Sequence, residues 1–164
     1  MSNESLPAKT ELKSANQILQ LVSFNLADEE YGVEVLKVRE IIRMPVITRM
    51  PNVPSYVVGV INLRGKVIPI ISLRNKFGLM ECENSITTRI MVMDVHNQLI
   101  GFIVDSVSEV IRINDSEIQP PPNIALSGAI SKEFIYGVFN HGEKLLILID
   151  LDKMIDPEDP VIPT

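Results

Sequence analysis

Three carboxylates stand where predicted strands end and are candidates for acid–base chemistry: Asp94, Asp105 and Asp150. Paired carboxylates act as general acid and base when a shared pocket drives their pKa values apart. An aspartate at a strand end, however, more commonly caps a turn through its own backbone, and we favour that structural interpretation. The pair Asp105-Ser106 is followed by Val107 and not by the glycine of an aspartic-protease motif. That enzyme class is therefore excluded.

The two histidines and the single cysteine do not predict a metal centre. His96 and His141 fall in predicted turns without the closely spaced second ligand that a zinc or iron site shows, so we expect both to be solvated turn residues. Cys82 alone excludes an internal disulfide and suits a reducing compartment. The chain also has no Gly-rich phosphate loop, no Gly-x-Ser-x-Gly and no Cys–His pair with a supporting acid. The sequence predicts no enzyme, no cofactor and no metal.

Composition narrows the class of protein further. The chain of 164 residues is 46% hydrophobic, which is enough for a packed core. Its net charge of −6 and scattered Lys and Arg argue against a nucleic-acid partner. The longest apolar run, residues 145–149, is too short to cross a bilayer, and the polar start of the chain lacks a signal peptide. We predict a cytoplasmic protein with poorly ordered ends at residues 1–16 and 156–164.

The elements that would position any site come from an internal repeat. The matched pairs are Gly59/Gly137, Asn62/Asn140, Lys66/Lys144 and Leu73/Leu151, 78 positions apart, and Gly32/Gly101, Val35/Val104, Val38/Val107, Glu40/Glu109 and Ile42/Ile111, 69 positions apart. The difference in spacing predicts a loop insertion at residues 119–131. Each half, approximately residues 17–80 and 86–155, is marginal as a core of its own. We predict one domain over residues 17–155, with strand crossing between the two lobes left open.

Strands dominate both halves. Apolar alternation predicts a hairpin over residues 22–35 and an equivalent one over residues 90–104, and a tight Arg64-Gly65 turn joins two further strands. Residues 35–42 fit a short helical turn or a bent strand equally well. Pro69 predicts a sheet edge or a bulge. With about five short strands in each half, closure into a small barrel hides the sheet edges, so the fold class is all-β with minor helix.

Two short helical exits follow the last strand of each half, at residues 73–77 and 151–155. Their apolar i, i+4 pairs could plug the end of a barrel. On the surface, Glu40 and Arg64 could each present a charge to a partner. Alone, such residues are more often simply solvated, and composition does not decide between the two interpretations.

Four segments together resemble the CheW family of bacterial chemotaxis coupling proteins. They are YGVEVLKVREI (residues 31–41), ITRMPNVPSYVVGVINLRGKVIPIISLRNKFG (residues 47–78), GFIVDSVSEVI (residues 101–111) and LLILIDLDKMI (residues 145–155). The resemblance covers residues 18–155. It implies two small SH3-like five-stranded β-barrels, related by the internal repeat and packed as one CheW-like domain with a groove between them.

The resemblance also implies a function. Members of the family are non-enzymatic adaptors that couple the cytoplasmic tips of chemoreceptors, the methyl-accepting chemotaxis proteins, to the histidine kinase CheA. Carried over by motif, the receptor-binding residues are Val38, Glu40 and Arg64. The kinase contacts should lie on other barrel surfaces, which the sequence does not select. Ser72 stands where the family often has Asp, which we expect to alter a local hydrogen bond rather than the function.

The same fold occurs in CheA and in CheV, but the chain has no room for a kinase or receiver segment, so a stand-alone coupler is the simplest interpretation. We expect a monomer in isolation, without membrane insertion, recruited to receptor arrays by its partners. One alternative is a coupler for a non-chemotactic pathway with a CheA-like kinase, such as surface motility. A less favoured alternative is a small-ligand-binding β-barrel, which needs polar groups at interior positions predicted here to be Val, Ile, Leu and Met.

Overall fold

Ten strands and two short α-helices form the fold in a computed structural model that describes residues 17–121 and 132–155. The strands are β1 (Ile18–Leu26), β2 (Glu29–Glu34), β3 (Val38–Arg43), β4 (Val57–Leu63), β5 (Lys66–Ser72), β6 (Arg89–Val95), β7 (Gln98–Val104), β8 (Ser106–Asn114), β9 (Ile135–His141) and β10 (Lys144–Ile149). The helices are α1 (Leu73–Lys76) and α2 (Leu151–Met154), and single 3-10 turns span Val35–Lys37, Asp115–Glu117 and Lys132–Phe134.

The strands form two five-stranded sheets, with the orders β8-β1-β2-β10-β9 and β3-β6-β7-β5-β4. We call them the first and the second barrel. The predicted fold class, all-β with minor helix in two SH3-like barrels, is confirmed. The expectation that each half closes into its own barrel is wrong, because each barrel combines the first hairpin of one half with the other three strands of the other half. The halves join in each barrel by one parallel and one antiparallel pairing. The parallel junctions pair β10 with β2 and β5 with β7, and the antiparallel ones pair β1 with β8 and β3 with β6.

One pair of backbone hydrogen bonds joins the two ends of each sheet into a barrel. In the second barrel, Thr48 N donates to Val60 O at 2.9 Å and Val60 N donates to Thr48 O at 2.8 Å. In the first barrel, Gln119 and Val138 exchange the equivalent bonds at 2.9 and 2.8 Å. The two barrels therefore close at equivalent places of the internal repeat. The closing bonds also satisfy backbone N–H and C=O groups that an open sheet edge would leave unpaired.

The repeated glycines mark the places where chains approach each other most closely. A Cβ on Gly59 would lie 2.1 Å from Thr48 O, and one on Gly137 would lie 2.2 Å from Ile118 Cγ2. Both glycines thus make room for the strand that closes the barrel. At the parallel junction of β5 and β7, a Cβ on Gly101 would lie 2.6 Å from Ile70 Cδ1.

Alternate side chains along the strands enter different cores. Ile90 and Val92 of β6 fill the second barrel, whereas Met91 and Met93 face a central cluster. The first barrel is filled by Leu21, Ile111, Ile113, Leu146 and Leu148, and the second by Ile61, Ile68, Ile70, Ile90 and Val92. The central cluster, formed by residues of both barrels, includes Val22, Phe24, Tyr31, Val33, Ile71, Leu73, Phe77, Met91, Met93, Phe102, Ile147 and Ile149. Burial on both faces explains why these strands are almost continuously apolar.

The structure resolves several local alternatives. Residues 35–42 contain both candidates, because the 3-10 turn Val35–Lys37 leads directly into β3. Pro69 lies in β5, an inner strand of the second barrel, but just outside its three residues that pair with β7, so the predicted edge character is present only at this position. Leu73 of α1 and Phe77 directly after it pack in the central cluster, and so do Leu151 and Ile155 of the second helical exit. The barrel-plug hypothesis is therefore wrong for both exits.

Ser72 caps helix α1. Its Oγ accepts a hydrogen bond from Asn75 N at 3.2 Å. Asp150, the repeat equivalent of Ser72, caps α2 in the same way, with Oδ1 accepting from Asp152 N at 3.0 Å. Both hydroxyl and carboxylate oxygens are good N-cap acceptors. The predicted tails at residues 1–16 and 156–164 lie outside the described residues, as do residues 122–131 of the predicted insertion.

Gly59→Ala is expected to destabilise the fold by about 1–3 kcal/mol, because the added methyl group must displace the backbone at Thr48. Urea unfolding followed by circular dichroism measures the change. Gly142→Asn is the matched control, since a Cβ there meets nothing within 4 Å and asparagine tolerates the φ of 66°. Equal midpoints for the two variants would contradict the close-approach role of Gly59.

Candidate functional site

Asp105 is tied to distant groups and does not simply cap its own turn. Its carboxylate accepts two hydrogen bonds from Arg74, from Nε to Oδ1 at 2.8 Å and from Nη2 to Oδ2 at 2.6 Å. Oδ2 also accepts from the backbone N–H of Ala27 at 2.8 Å, in the turn between β1 and β2. Partial burial raises the pKa of Asp105, but these hydrogen bonds and the charge of Arg74 outweigh it, so the pKa lies below its ordinary value.

The other two strand-end aspartates have separate roles. Asp150 caps α2, as the structural interpretation of the sequence expected. Asp94 forms an ion pair with Arg39, with Nη2 and Oδ2 2.8 Å apart. The three carboxylates thus have three different sets of partners, and Asp105 holds its proton less tightly than a free aspartate. The arrangement does not supply the matched acid and base that catalysis by two carboxylates needs.

His96 is exposed in the turn between β6 and β7, as predicted, but its ring also makes contacts that the sequence did not indicate. Its Nε2 lies 2.8 Å from Asp152 O and 2.9 Å from Ile155 O. Because a carbonyl oxygen can only accept, Nε2 carries a proton and donates to both. His141 ends β9 beside Phe139, with ring centroids 6.3 Å apart. Within residues 17–121 and 132–155, no three His, Cys, Asp or Glu side chains are grouped to hold a metal ion.

A polar cleft of about 650 Å³ beside Asp105 tests the small-ligand alternative. Arg74, Glu81, Ser72 and the exposed Cys82 are among its lining residues. Asp105 in this lining already accepts three hydrogen bonds, from Arg74 and from the Ala27 N–H, so a ligand there would compete with contacts inside the protein. The two barrel interiors hold Ile, Leu and Val, as the sequence predicts. This geometry gives no support to a ligand-binding barrel.

Of the three predicted site residues, the structure brings Glu40 and Arg64 together. Arg64 Nη1 donates to Glu40 Oε1 at 3.1 Å, and Arg64 Nη2 donates to Glu40 Oε2, so the guanidinium and the carboxylate form a bidentate pair. The hydrogen bond from Arg64 lowers the pKa of Glu40, and the same bond raises the pKa of Arg64. The Arg64 side chain remains 70% exposed against 28% for Glu40. Arg64 is therefore presented to solvent while Glu40 orients it.

The turn between β4 and β5 fixes the position of Arg64. Arg64 and Gly65 both have positive φ, 50° and 85°, as in the two-residue turns that suit twisted hairpins. Asn62 Oδ1 accepts from Gly65 N at 2.9 Å and braces the turn from one side. In the sequence, Asn62 was marked only by its match to Asn140 in the internal repeat, and that match did not indicate a role.

A β-bulge sets the direction of Glu40. In the pairing of β3 with β6, Val38 lies opposite Met93 and Glu40 opposite Val92, which leaves Arg39 as the extra residue. Val38 packs against the central cluster, whereas Glu40 faces the end of the second barrel. The structure therefore separates Val38 from the other two predicted residues, across the bulge.

Glu40 and Arg64 lie on the rim of a cleft of about 500 Å³ at the end of the second barrel. We call it the rim cleft. Its lining residues are Arg39, Glu40, Leu63, Arg64, Lys66, Ile68, Val92, Asp94, Asn97 and Leu99. Ile68 and Val92 are also core residues of the second barrel, so the cleft has an apolar floor under a charged edge. Three cations and two anions line it, a positive local excess in a chain of net charge −6.

A family model described as the CheW-like domain matches residues 20–159. The chain belongs to the CheW family. It is 36% identical to the chemotaxis protein CheW of Klebsiella aerogenes over 85% of this chain and 83% of that protein. It is 37% identical to the chemotaxis protein CheW of Helicobacter pylori, over 85% of this chain and 82% of that protein.

A solved structure gives the same result for the fold. The crystal structure of scaffolding protein TtCheW from Thermoanaerobacter tengcongensis matches with a TM-score of 0.77 and 36% identity, over 84% of this chain and 88% of that one. The names of these CheW relatives describe chemotaxis and scaffolding proteins and no enzyme, in agreement with the non-enzymatic prediction. Across the described ranges, none of the helices is both long and apolar enough to span a bilayer.

Removing the brace of the Arg64 turn is expected to loosen it. Asn62→Ala should speed amide hydrogen exchange at Gly65 because the N–H loses its acceptor, while Asn62→Asp, which keeps an acceptor oxygen, should preserve protection. Global stability should fall by no more than about 1 kcal/mol in either variant. Equal Gly65 exchange in all three proteins would show that the side chain does not brace the turn.

The Asp105 carboxylate should make stability depend on pH in one direction. Its lowered pKa means that the stabilisation is present above the ordinary pKa and is lost as the pH falls through the folded-state value. Asp105→Asn should therefore lower the urea midpoint strongly at about pH 7 and much less at about pH 3. Asp28→Asn, in an exposed turn, is the control, with a small effect at both pH values. An Asp105→Asn effect that grows in acid would contradict the assignment.

Proposed function

We propose that this CheW family member couples chemoreceptors to the histidine kinase CheA in bacterial chemotaxis. The support is its membership of the family, the names of its relatives as chemotaxis and scaffolding proteins, and a surface suited to recognition rather than to catalysis. In this proposal the protein is a cytoplasmic monomer in isolation and reaches membrane receptor arrays only through its partners.

The single observation that carries the receptor site is the Arg64–Glu40 pair on the rim cleft. A bidentate carboxylate holds the guanidinium in one orientation, so Arg64 loses little further freedom when a partner arrives. Most of the guanidinium still faces solvent and can donate to a partner carboxylate or backbone carbonyl. Glu40 thus orients, and Arg64 is the group that a receptor helix contacts.

Val38 has a different part in the same proposal. It is half-buried against the central cluster, on the far side of the bulge from Glu40. An apolar residue that is already partly packed offers a small, rigid contact, whereas the rim pair offers orientation and electrostatic selection. We propose that a receptor helix crosses β3 at the bulge, so that it meets the rim pair on one side and Val38 on the other.

Docking would change the electrostatics of the rim. In the free protein, water screens the exposed pair, so it adds little to stability. A receptor helix that covers the rim cleft removes this water and strengthens each charge–charge contact. Recognition by this surface should therefore be sensitive to charge reversal in a way that folding is not. Contacts with CheA belong on barrel surfaces away from the rim cleft, so that both partners bind at once.

Arg64→Glu is expected to abolish kinase activation while leaving the fold intact, because the side chain is exposed at a hairpin tip. The measurement is ATP-dependent autophosphorylation of CheA from the same organism, mixed with receptor-bearing membranes and the purified protein. Arg112→Glu on β8, exposed in the other barrel, is the matched control and should activate normally.

A double variant separates recognition from simple pairing. Arg64→Glu with Glu40→Arg restores an intramolecular ion pair but presents the opposite charge to a partner. The proposal expects no activation from this protein. Normal activation by the double variant would show that the ion pair only supports the turn, and absence of binding to either partner by the unmodified protein would overturn the coupling function itself.

A further inference from the structure

Two ion pairs at equivalent places in the repeat have opposite polarity. After β5, Arg74 of α1 pairs with Asp105, where the chain crosses from the second barrel to the first, with Nη2 and Oδ2 2.6 Å apart. After β10, Asp152 of α2 pairs with Lys37, where the chain crosses from the first barrel to the second, with Nζ and Oδ2 also 2.6 Å apart. We call these the crossover ion pairs.

The equivalence follows from the sequence spacing. Arg74 and Asp152 are 78 positions apart, the offset of their repeated block. Lys37 corresponds, at the 69-position offset of the earlier block, to the residue directly after Asp105. In one pair the helix supplies the cation and the crossover the anion, and in the other pair the signs are reversed.

The polarity matters because the halves are similar enough to pair in two ways. In the observed crossed arrangement, β10 lies beside β2 and β5 beside β7. In a self-contained arrangement, β5 would lie beside β2 and β10 beside β7, and each half would form its own barrel. Both junctions bring a neighbouring strand close to a repeated glycine, with a Cβ on Gly32 3.1 Å from Leu148 Cδ2 and one on Gly101 2.6 Å from Ile70 Cδ1, so the presence of glycine alone does not distinguish the two arrangements.

Charge distinguishes the two arrangements by sign. Each short helix follows the strand that makes the parallel junction, so it is carried to whichever crossover that strand reaches. In the self-contained arrangement, Arg74 would face Lys37 and Asp152 would face Asp105. Both attractions would become like-charge repulsions. Natural and designed proteins use such repulsion against unwanted pairings.

We infer that the oppositely signed crossover ion pairs select the crossed topology, so that each N-terminal hairpin joins the last three strands of the other half. The Arg74–Asp105 pair is well placed for this, because its side chains are only 19% and 31% exposed and so are screened less than a rim pair. Arg74 Nη1 also donates to Met80 O at 2.8 Å, which fixes the guanidinium beside Asp105.

Two double variants of the full chain test the inference. Lys37→Asp with Asp152→Lys keeps an attractive pair in the observed fold, but gives both pairs the same polarity, so that charge no longer distinguishes the arrangements. Arg74→Asp with Asp152→Arg makes both observed contacts repulsive and both self-contained contacts attractive. Arg74→Gln with Asp152→Asn is the neutral control, which lacks both attraction and repulsion.

Each protein is unfolded in urea and refolded by dilution, at low salt and in about 1 M NaCl, where charge interactions are largely screened. NMR contacts report the topology, since the crossed fold places Gly32 beside Leu148 and Gly101 beside Ile70. The self-contained arrangement would instead place Gly32 beside Ile70 and Gly101 beside Leu148. Refolding kinetics are followed by circular dichroism.

At low salt, the Arg74→Asp, Asp152→Arg variant should refold to the crossed fold about tenfold more slowly than the neutral control. High salt should remove most of this difference in rate. The Lys37→Asp, Asp152→Lys variant should keep wild-type stability once folded. On refolding, it should show NMR contacts of both arrangements or an added slow kinetic phase. Refolding of that variant to the crossed fold alone at the wild-type rate would overturn the inference. So would indistinguishable behaviour of the Arg74→Asp, Asp152→Arg variant and the neutral control.

Discussion

The parallel pairing of β2 with β10, and of β5 with β7, is the constraint on which the rest of the structure depends. Each parallel junction is only three residues long, and together with the antiparallel pairing of β1 with β8 and of β3 with β6 it places strands of both halves in both barrels. Close packing is possible because Gly32 and Gly101 present no side chain to the neighbouring strand. With the junctions made, alternate residues of the same strands fill the central cluster and the barrel interiors.

The candidate functional site also depends on the pairing of strands from the two halves. Glu40 and Arg64 both belong to the first half of the chain, and the turn braced by Asn62 is a local structure. The floor and far side of the rim cleft, however, include Val92, Leu99 and Asp94 from the second half. Without the pairing of β3 with β6 there is no bulge at Arg39, and without the bulge Glu40 would not face the barrel end. The rim surface is therefore complete only in the crossed fold.

The features that could be predicted from the sequence are those that depend on one residue type at one position. Repeated glycines, the Arg64-Gly65 turn and uninterrupted apolar strands predicted the repeat, the hairpins and the all-β class, because each depends on the backbone or on burial at a single position. Sequence reasoning failed where the answer depends on two distant positions. The partners of Asp105 and His96 lie 31 and 56 positions away, and no spacing rule connects them. Similar halves also left open which half pairs with which, and the simpler assumption of one barrel per half proved wrong.

Among the described residues, exposure separates the ion pairs of the rim cleft from Arg74–Asp105, and Lys37–Asp152 is intermediate, with side chains 46% and 26% exposed. Arg64–Glu40 and Arg39–Asp94 combine a largely exposed arginine with a less exposed carboxylate, so water weakens them and the cation stays available to a partner. Arg74–Asp105 is more enclosed, and its carboxylate also accepts a backbone N–H, which leaves it little capacity for a partner. A surface that loses its water when a partner protein binds needs charges like those of the rim cleft. Such charges are held in one orientation but can still accept or donate further hydrogen bonds. The inferred selection of the crossed fold needs charges whose sign is satisfied in one arrangement and opposed in the other, and the exposure of each pair sets how strongly it acts.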